Sequence, residues 1–163
     1  MLLTSFNLFA LAPTDSDSFD KEKIENLEEI LNLAEDNASV IGRKILETSR
    51  VMIANEEIIL GSCWDYIDGA YSRAGFPERN RKTIFKSKLA GPYVLEAQIE
   101  SGDWLYFINH SYGDVEHSGV FIAWTNLEKK EALVMSYPGG NQAKPARYKK
   151  YDLSSVYNII RGR

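Results

Sequence analysis

The chain has one cysteine, Cys63, in 163 residues, so no internal disulfide can form and the redox compartment is unrestricted. It has two histidines, His110 and His117. Without close His/Cys spacing these make no zinc pattern, and neither a metal nor another cofactor is expected. It has no surplus of positive charge, because 19 Lys and Arg stand against 23 Asp and Glu for a net charge of −4. Phosphate backbones and anionic bilayers attract basic faces, so nucleic-acid and membrane-surface binding drop out of the leading classes. No apolar run approaches the ~20 residues of a membrane span. Internal repeats and low-complexity tracts are lacking too. What remains, 44% hydrophobic and 26% charged, suits one globular domain with a real core. Nothing in the pattern sets an oligomeric state.

Residues 1–12, MLLTSFNLFALA, are apolar and end in Ala10-Leu11-Ala12, which resembles a signal-peptidase site. The run is short, no basic residue precedes it, and Pro13 would follow the cut, so an arm packed on the domain is the favoured reading. Residues 15–20 are acidic and suit a helix start. Ile24, Leu27, Leu31 and Ala34 then recur at helical spacing. A second helix is expected over residues 38–54, with Ile41, Ile45, Thr48 and Met52 on one stripe. A third begins at Cys63. Ser62 can cap it, Asp65 completes a capping box, Gly75 suits the left-handed position after the last turn, and Pro77 stops continuation.

Residues 77–92, PERNRKTIFKSKLAGP, read as a basic surface connection. The period then becomes strand-like. Strands are expected at residues 93–99, at 104–108 (WLYFI, apolar on both faces), at 117–124 and at 132–137, with one or two more within 147–161. Helices first and an antiparallel sheet afterwards make an α+β fold.

A thiol attacks carbonyls as thiolate, which a helix N-terminus and a nearby imidazole both favour. Cys63 has the first by position, and the free N–H groups there could also hold an oxyanion. The competing reading is an ordinary buried free cysteine. Of the two imidazoles, His110 falls in a polar loop. His117 opens a strand and is followed by Ser118-Gly119, which leaves room for substrate. Strand alternation puts His117, Gly119, Phe121 and Ala123 on one face. His117 is therefore the expected base.

The series GSCWDYIDGAYSRAGF, the Gly102-Asp103 turn, the apolar run Trp104 to Phe107, the strand opening His117-Ser118-Gly119 and the returning strand ALVMSYPGG resembles the NlpC-type papain-like cysteine peptidases. The resemblance covers roughly residues 40–161. It implies a papain-like fold, with residues 1–36 as N-terminal arm and helix and residues 37–163 as catalytic domain. It further implies hydrolysis of an amide, with Cys63 attacking the carbonyl and His117 moving the proton. The implied substrate is a peptidoglycan stem peptide, and the envelope, periplasm or exterior is favoured over the cytoplasm. Departures are Ser62, Trp64 and Asp65 around the cysteine, and Val51 where the family commonly has a tyrosine.

The imidazole also needs an acceptor for its second nitrogen, expected from the strand carrying Met135, Ser136 and Tyr137. A hairpin centred on a residue such as Glu128 would put Met135 and Tyr137 on the His117 face; one centred between residues would put Ser136 there. The tip TNLEKKE has no glycine to fix the register. Small size favours Ser136. Trp64, Asp65, His110 and Tyr137 are the expected substrate contacts. Two other readings stand beside this one: a thiol acyl-transfer enzyme acting on another amide, ester or lipid, and a catalytically silent binding module of the same fold.

Overall fold

The computed structural model describes residues 15–163, with side chains from residue 26 onward. The expectation for residues 1–12 lies outside the described residues. Three helices come first: α1 (Asp15–Asn37), α2 (Val40–Ala54) and α3 (Cys63–Arg73). Six strands follow: β1 (Arg81–Lys86), β2 (Trp104–Asn109), β3 (Val115–Asn126), β4 (Glu131–Ser136), β5 (Arg147–Asp152) and β6 (Val156–Gly162). They form one antiparallel sheet in the order β1-β6-β2-β3-β4-β5. The fold is α+β. Among the described residues no helix is long and apolar enough to cross a membrane.

The sheet has two apolar faces because its central strands are buried on both sides. Trp104, Val120, Ile122, Leu133, Met135 and Tyr137 pack with the helices, and Leu31 and Ala34 of α1 belong to this same core. Leu105, Phe107, Phe121, Val134 and Ile159 face the other way, into a second core closed by Val94, Ile99 and Leu153. We call these the helix face and the far face.

Three expectations need correction. Residues 77–92 contain a strand, β1, which pairs with β6 at the sheet edge. Its sequence RKTIFK is rich in cations, as edge strands often are, and so reads as surface loop. Residues 93–99 are not a strand: they carry a 3-10 turn at Glu96–Gln98 and lie over the far face through Val94 and Ile99. Their apolar residues are buried by covering the sheet rather than by joining it. The stripe of α2 is also rotated. Gly42, Ile45, Leu46, Ser49 and Met52 are buried, while Ile41 and Thr48 are only half so.

That rotation follows from a close approach. The Ser101-Gly102 turn packs on α2 at Gly42, and a Cβ on Gly102 would lie 2.6 Å from Gly42 Cα. Gly102 also has φ +94°. Tyr71 of α3 then donates its hydroxyl to Gly102 O (2.6 Å) and Ile160 O (3.2 Å), which ties the turn to both helix and sheet. Beside it, Arg161 grips the buried Asp103 through two bonds of 2.6 and 2.7 Å.

Gly75 separates strain from clash, since its φ is +97° with nothing within 4 Å of a Cβ. Gly75→Ala is expected to cost about 1 kcal/mol, from backbone strain alone. Gly102→Ala adds a steric conflict and should cost roughly 2 kcal/mol more. Urea denaturation of both variants checks this; equal losses would refute the close-packed turn.

Candidate active site

Cys63 opens α3, and the start of that helix is fixed from several directions. Ser62 is the N-cap, and its N–H and Oγ bond Asp65 Oδ2 at 2.7 and 2.9 Å, completing the capping box. These bonds, led by the Ser62 N–H, hold the Asp65 carboxyl below the usual carboxylate range. The far end closes as a Schellman motif, with Phe76 N–H on Tyr71 O and Gly75 N–H on Ser72 O. Upstream, Tyr137 OH donates to Ile59 O (2.6 Å) and accepts from Ile59 N–H (3.0 Å). Gly140 N–H bonds Gly61 O at 2.9 Å. A Cβ on Gly140 would sit 2.9 Å from Leu60 Cα, so only glycine lets this loop lie against the approach to Cys63.

The thiol is half-buried and opens on a cleft of about 200 Å³ bordered by Trp64, Tyr106, Glu116, Ser118 and Tyr157. Trp64 is 47% exposed and tilts over Trp104. Burial pushes the Tyr106 phenol up to about 12 and moves Tyr157 upward as well. Both phenols therefore stay protonated at neutral pH, and Tyr157 donates to Glu116 Oε1 at 2.7 Å. The hydrogen-bond partner of the sulfur is Ser118, whose Oγ donates to Sγ at 3.4 Å.

His117 borders the same cleft, but its ring bonds elsewhere. Nε2 lies 3.0 Å from Ser136 Oγ and 3.4 Å from Tyr151 OH, and those two hydroxyls are 2.8 Å apart. The ring packs edge-on against Phe107 at 5.5 Å. Phe107 and Tyr151 belong to the far-face core. Alternation along β3 thus sends Ser118, Val120 and Ile122 to the helix face and His117 to the far face. No hydrogen bond joins Cys63 and His117 among the described residues. The expected contact between thiol and imidazole is not formed, because neighbouring strand residues point to opposite sides and Ser118 holds the side facing α3.

The partner of His117 is Ser136, and the hairpin explains why. Asn126 pairs with Glu131, so the turn is centred between residues, and Lys130 supplies the left-handed conformation (φ +53°) without a glycine. Two bulges then each shift β3 by one residue, until Val120 faces Met135 and Phe121 faces Val134. Continuing that register puts Ser136 opposite Gly119, on the His117 face. Two slips restore the parity that one would have reversed. Burial, with Lys149 and Arg147 adding to it, pushes the His117 imidazole down to about 4, so the ring is neutral at pH 7.

Three expected substrate contacts take other roles. Tyr137 is fully buried, stacks on Tyr66 at 4.3 Å and anchors Ile59. The Asp65 carboxylate is engaged in the helix cap. His110 does not border this cleft. Its Nδ1 is 2.8 Å from Asp114 Oδ1 and its Nε2 2.8 Å from Ser155 Oγ, pinning the loop to the turn before β6. That chain has the connectivity of a hydrolytic triad, but Ser155 is only 6% exposed and borders no described cleft. The sequence reading missed Ser118, Tyr106, Glu116, Tyr157 and Tyr151. Alternation in WLYFI, RYKKY and VYNII was the signal that could have found the tyrosines. No three His, Cys, Asp or Glu side chains converge as a metal site requires among the described residues.

His117 makes stability depend on pH. The unfolded chain takes up this proton near pH 6.5, whereas the folded ring resists until about 4. Its contribution is complete above pH 6.5 and falls as pH drops from there to 4. NMR titration of the ring should show the low midpoint, and His117→Gln should flatten the stability profile in that window. A midpoint near 6.5 would contradict the burial argument. Comparison of the chain with protein-family models, with curated proteins and with solved structures found no match.

Proposed function

We propose that the chain is a cysteine peptidase or amidase of papain-like, NlpC-type fold that hydrolyses an amide of a peptidoglycan stem peptide. The observation that carries this reading is the half-buried Cys63 thiol at the first position of a firmly capped helix, open to a cleft. The order of three helices and then an antiparallel sheet also supports it. So does the neutral imidazole, with Nε2 engaged by Ser136 and no hydrogen-bond partner at Nδ1 among the described residues.

On this reading Cys63 Sγ attacks the amide carbon, and the N–H groups opening α3 hold the developing oxyanion. Collapse breaks the C–N bond, the amine leaves with a proton, and water then hydrolyses the thioester. His117 takes the thiol proton and returns it to the amine. Because Ser118 is the sulfur's partner in the free chain, that transfer requires the ring to move around the Glu116-His117 end of β3 when substrate binds.

One observation favours a second reading, a binding domain of this architecture without turnover: the thiol lies against the face of β3 that bears Ser118, and the imidazole projects from the other face. Mass spectrometry of muropeptides incubated with the chain separates the two. The enzyme reading expects cleavage products, none from Cys63→Ala, and a loss of roughly a hundredfold or more for His117→Ala. It also expects iodoacetamide to alkylate Cys63 in the folded chain, since the thiol opens on the cleft. Muropeptide binding without cleavage, unchanged in Cys63→Ala, would establish the second reading.

A further inference from the structure

The far face carries a cleft of different character. Three neighbouring strands meet there, β3 with His117, β4 with Ser136, and β5 with Arg147, Lys149 and Tyr151. Register places Arg147 opposite Ser136 and Lys149 opposite Val134, so alternate residues of RYKKY share this face. The space is about 270 Å³, enough for a head group and a few further atoms. Its lining holds two cations and no Asp or Glu, in a chain with an acidic excess.

Neither cation is neutralised by the protein. Arg147 and Lys149 form no ion pair among the described residues, whereas the adjacent Lys150 reaches Glu131 at 3.3 Å on the helix face. Lys149 Nζ instead lies 5.1 Å from the Tyr151 ring centre. The positive field of both cations acts on His117 and opposes its protonation. Ser136 and Tyr151 add hydroxyls that can rotate toward a ligand.

We propose that this cleft binds an oxyanion, the carboxylate or phosphate head of a small molecule, paired with Arg147 and Lys149 and hydrogen-bonded by Ser136 and Tyr151. Charge-assisted bonds from two unpaired cations are stronger than neutral ones, and a bound anion would remove the mutual repulsion within the site. The inference concerns binding on the far face and stands whether or not Cys63 turns over a substrate.

The test follows the His117 imidazole signals by NMR in the intact chain, with sodium phosphate, sodium acetate and sodium chloride added separately at matched ionic strength. At least one oxyanion should give a saturable shift that chloride does not. The His117 midpoint should rise from about 4, because the anion offsets Lys149 and Arg147. Tighter phosphate binding assigns a phosphate head, and tighter acetate binding a carboxylate. Arg147→Gln with Lys149→Gln should weaken binding roughly tenfold or more. Arg147→Gln alone, at an exposed side chain, gives the same test if the double variant does not fold. A shift reproduced by chloride, a shift that does not saturate, or unchanged affinity in a folded variant would overturn the proposal.

Discussion

The seating of α3 on the sheet is the constraint on which the rest of the structure depends. Trp104 lies at its centre, with Tyr71, Trp64 and Tyr106 rings each 5.7 Å away. Arg81 of β1 closes the far end. Its guanidinium stands over the Tyr71 and Trp104 rings and bonds Asp68 Oδ1 and Phe76 O of the α3 segment at 2.6 and 2.7 Å. An edge strand therefore clamps the last turn of the helix, while Tyr137 and Gly140 hold the chain that enters its first turn. With both ends fixed, the position of Cys63 is set by packing far from the sulfur. The close contact of Gly102 with Gly42 extends the same rigidity to α2.

From that seating follows the division of polar groups between two faces. Near Cys63 one parity of β2 and β3 faces α3, which with the helix's own Trp64 gives the thiol a neighbourhood of Ser118 and Tyr106. The other parity assembles His117, Ser136 and Tyr151, with Arg147 and Lys149 beside them. The two sites share the β3 backbone and differ in charge. The thiol cleft contains the carboxylate of Glu116 and protonated phenols, while the far-face cleft contains unpaired cations around a neutral imidazole. A thiol cleft and a cationic cleft are thus placed back to back across one strand.

Much of this was legible residue by residue. Ser62, Asp65, Gly75 and Pro77 punctuate α3 because capping is local chemistry, decided within one turn of chain. Trp104 to Phe107 reads as a central strand because it is apolar on both faces. β1 was illegible, since an edge strand bears cations and borrows its pairing from β6, more than seventy residues away in sequence. Residues 93–99 were illegible for the opposite reason: their apolar residues announce burial but not whether burial comes from pairing or from covering.

The sequence by itself determined the α+β class, the helix that starts at Cys63, and an alternation that puts His117 and Ser118 on opposite sides of one strand. It could not say which side α3 would cover, because that depends on the crossing of α3 over β2 and β3. Nor could it choose between Ser136 and Tyr137 as the partner of His117. That choice rested on Lys130 adopting a left-handed turn and on two bulges that together preserve parity. Bulges arise from sheet twist and packing on both faces, and only the tertiary structure supplies those forces.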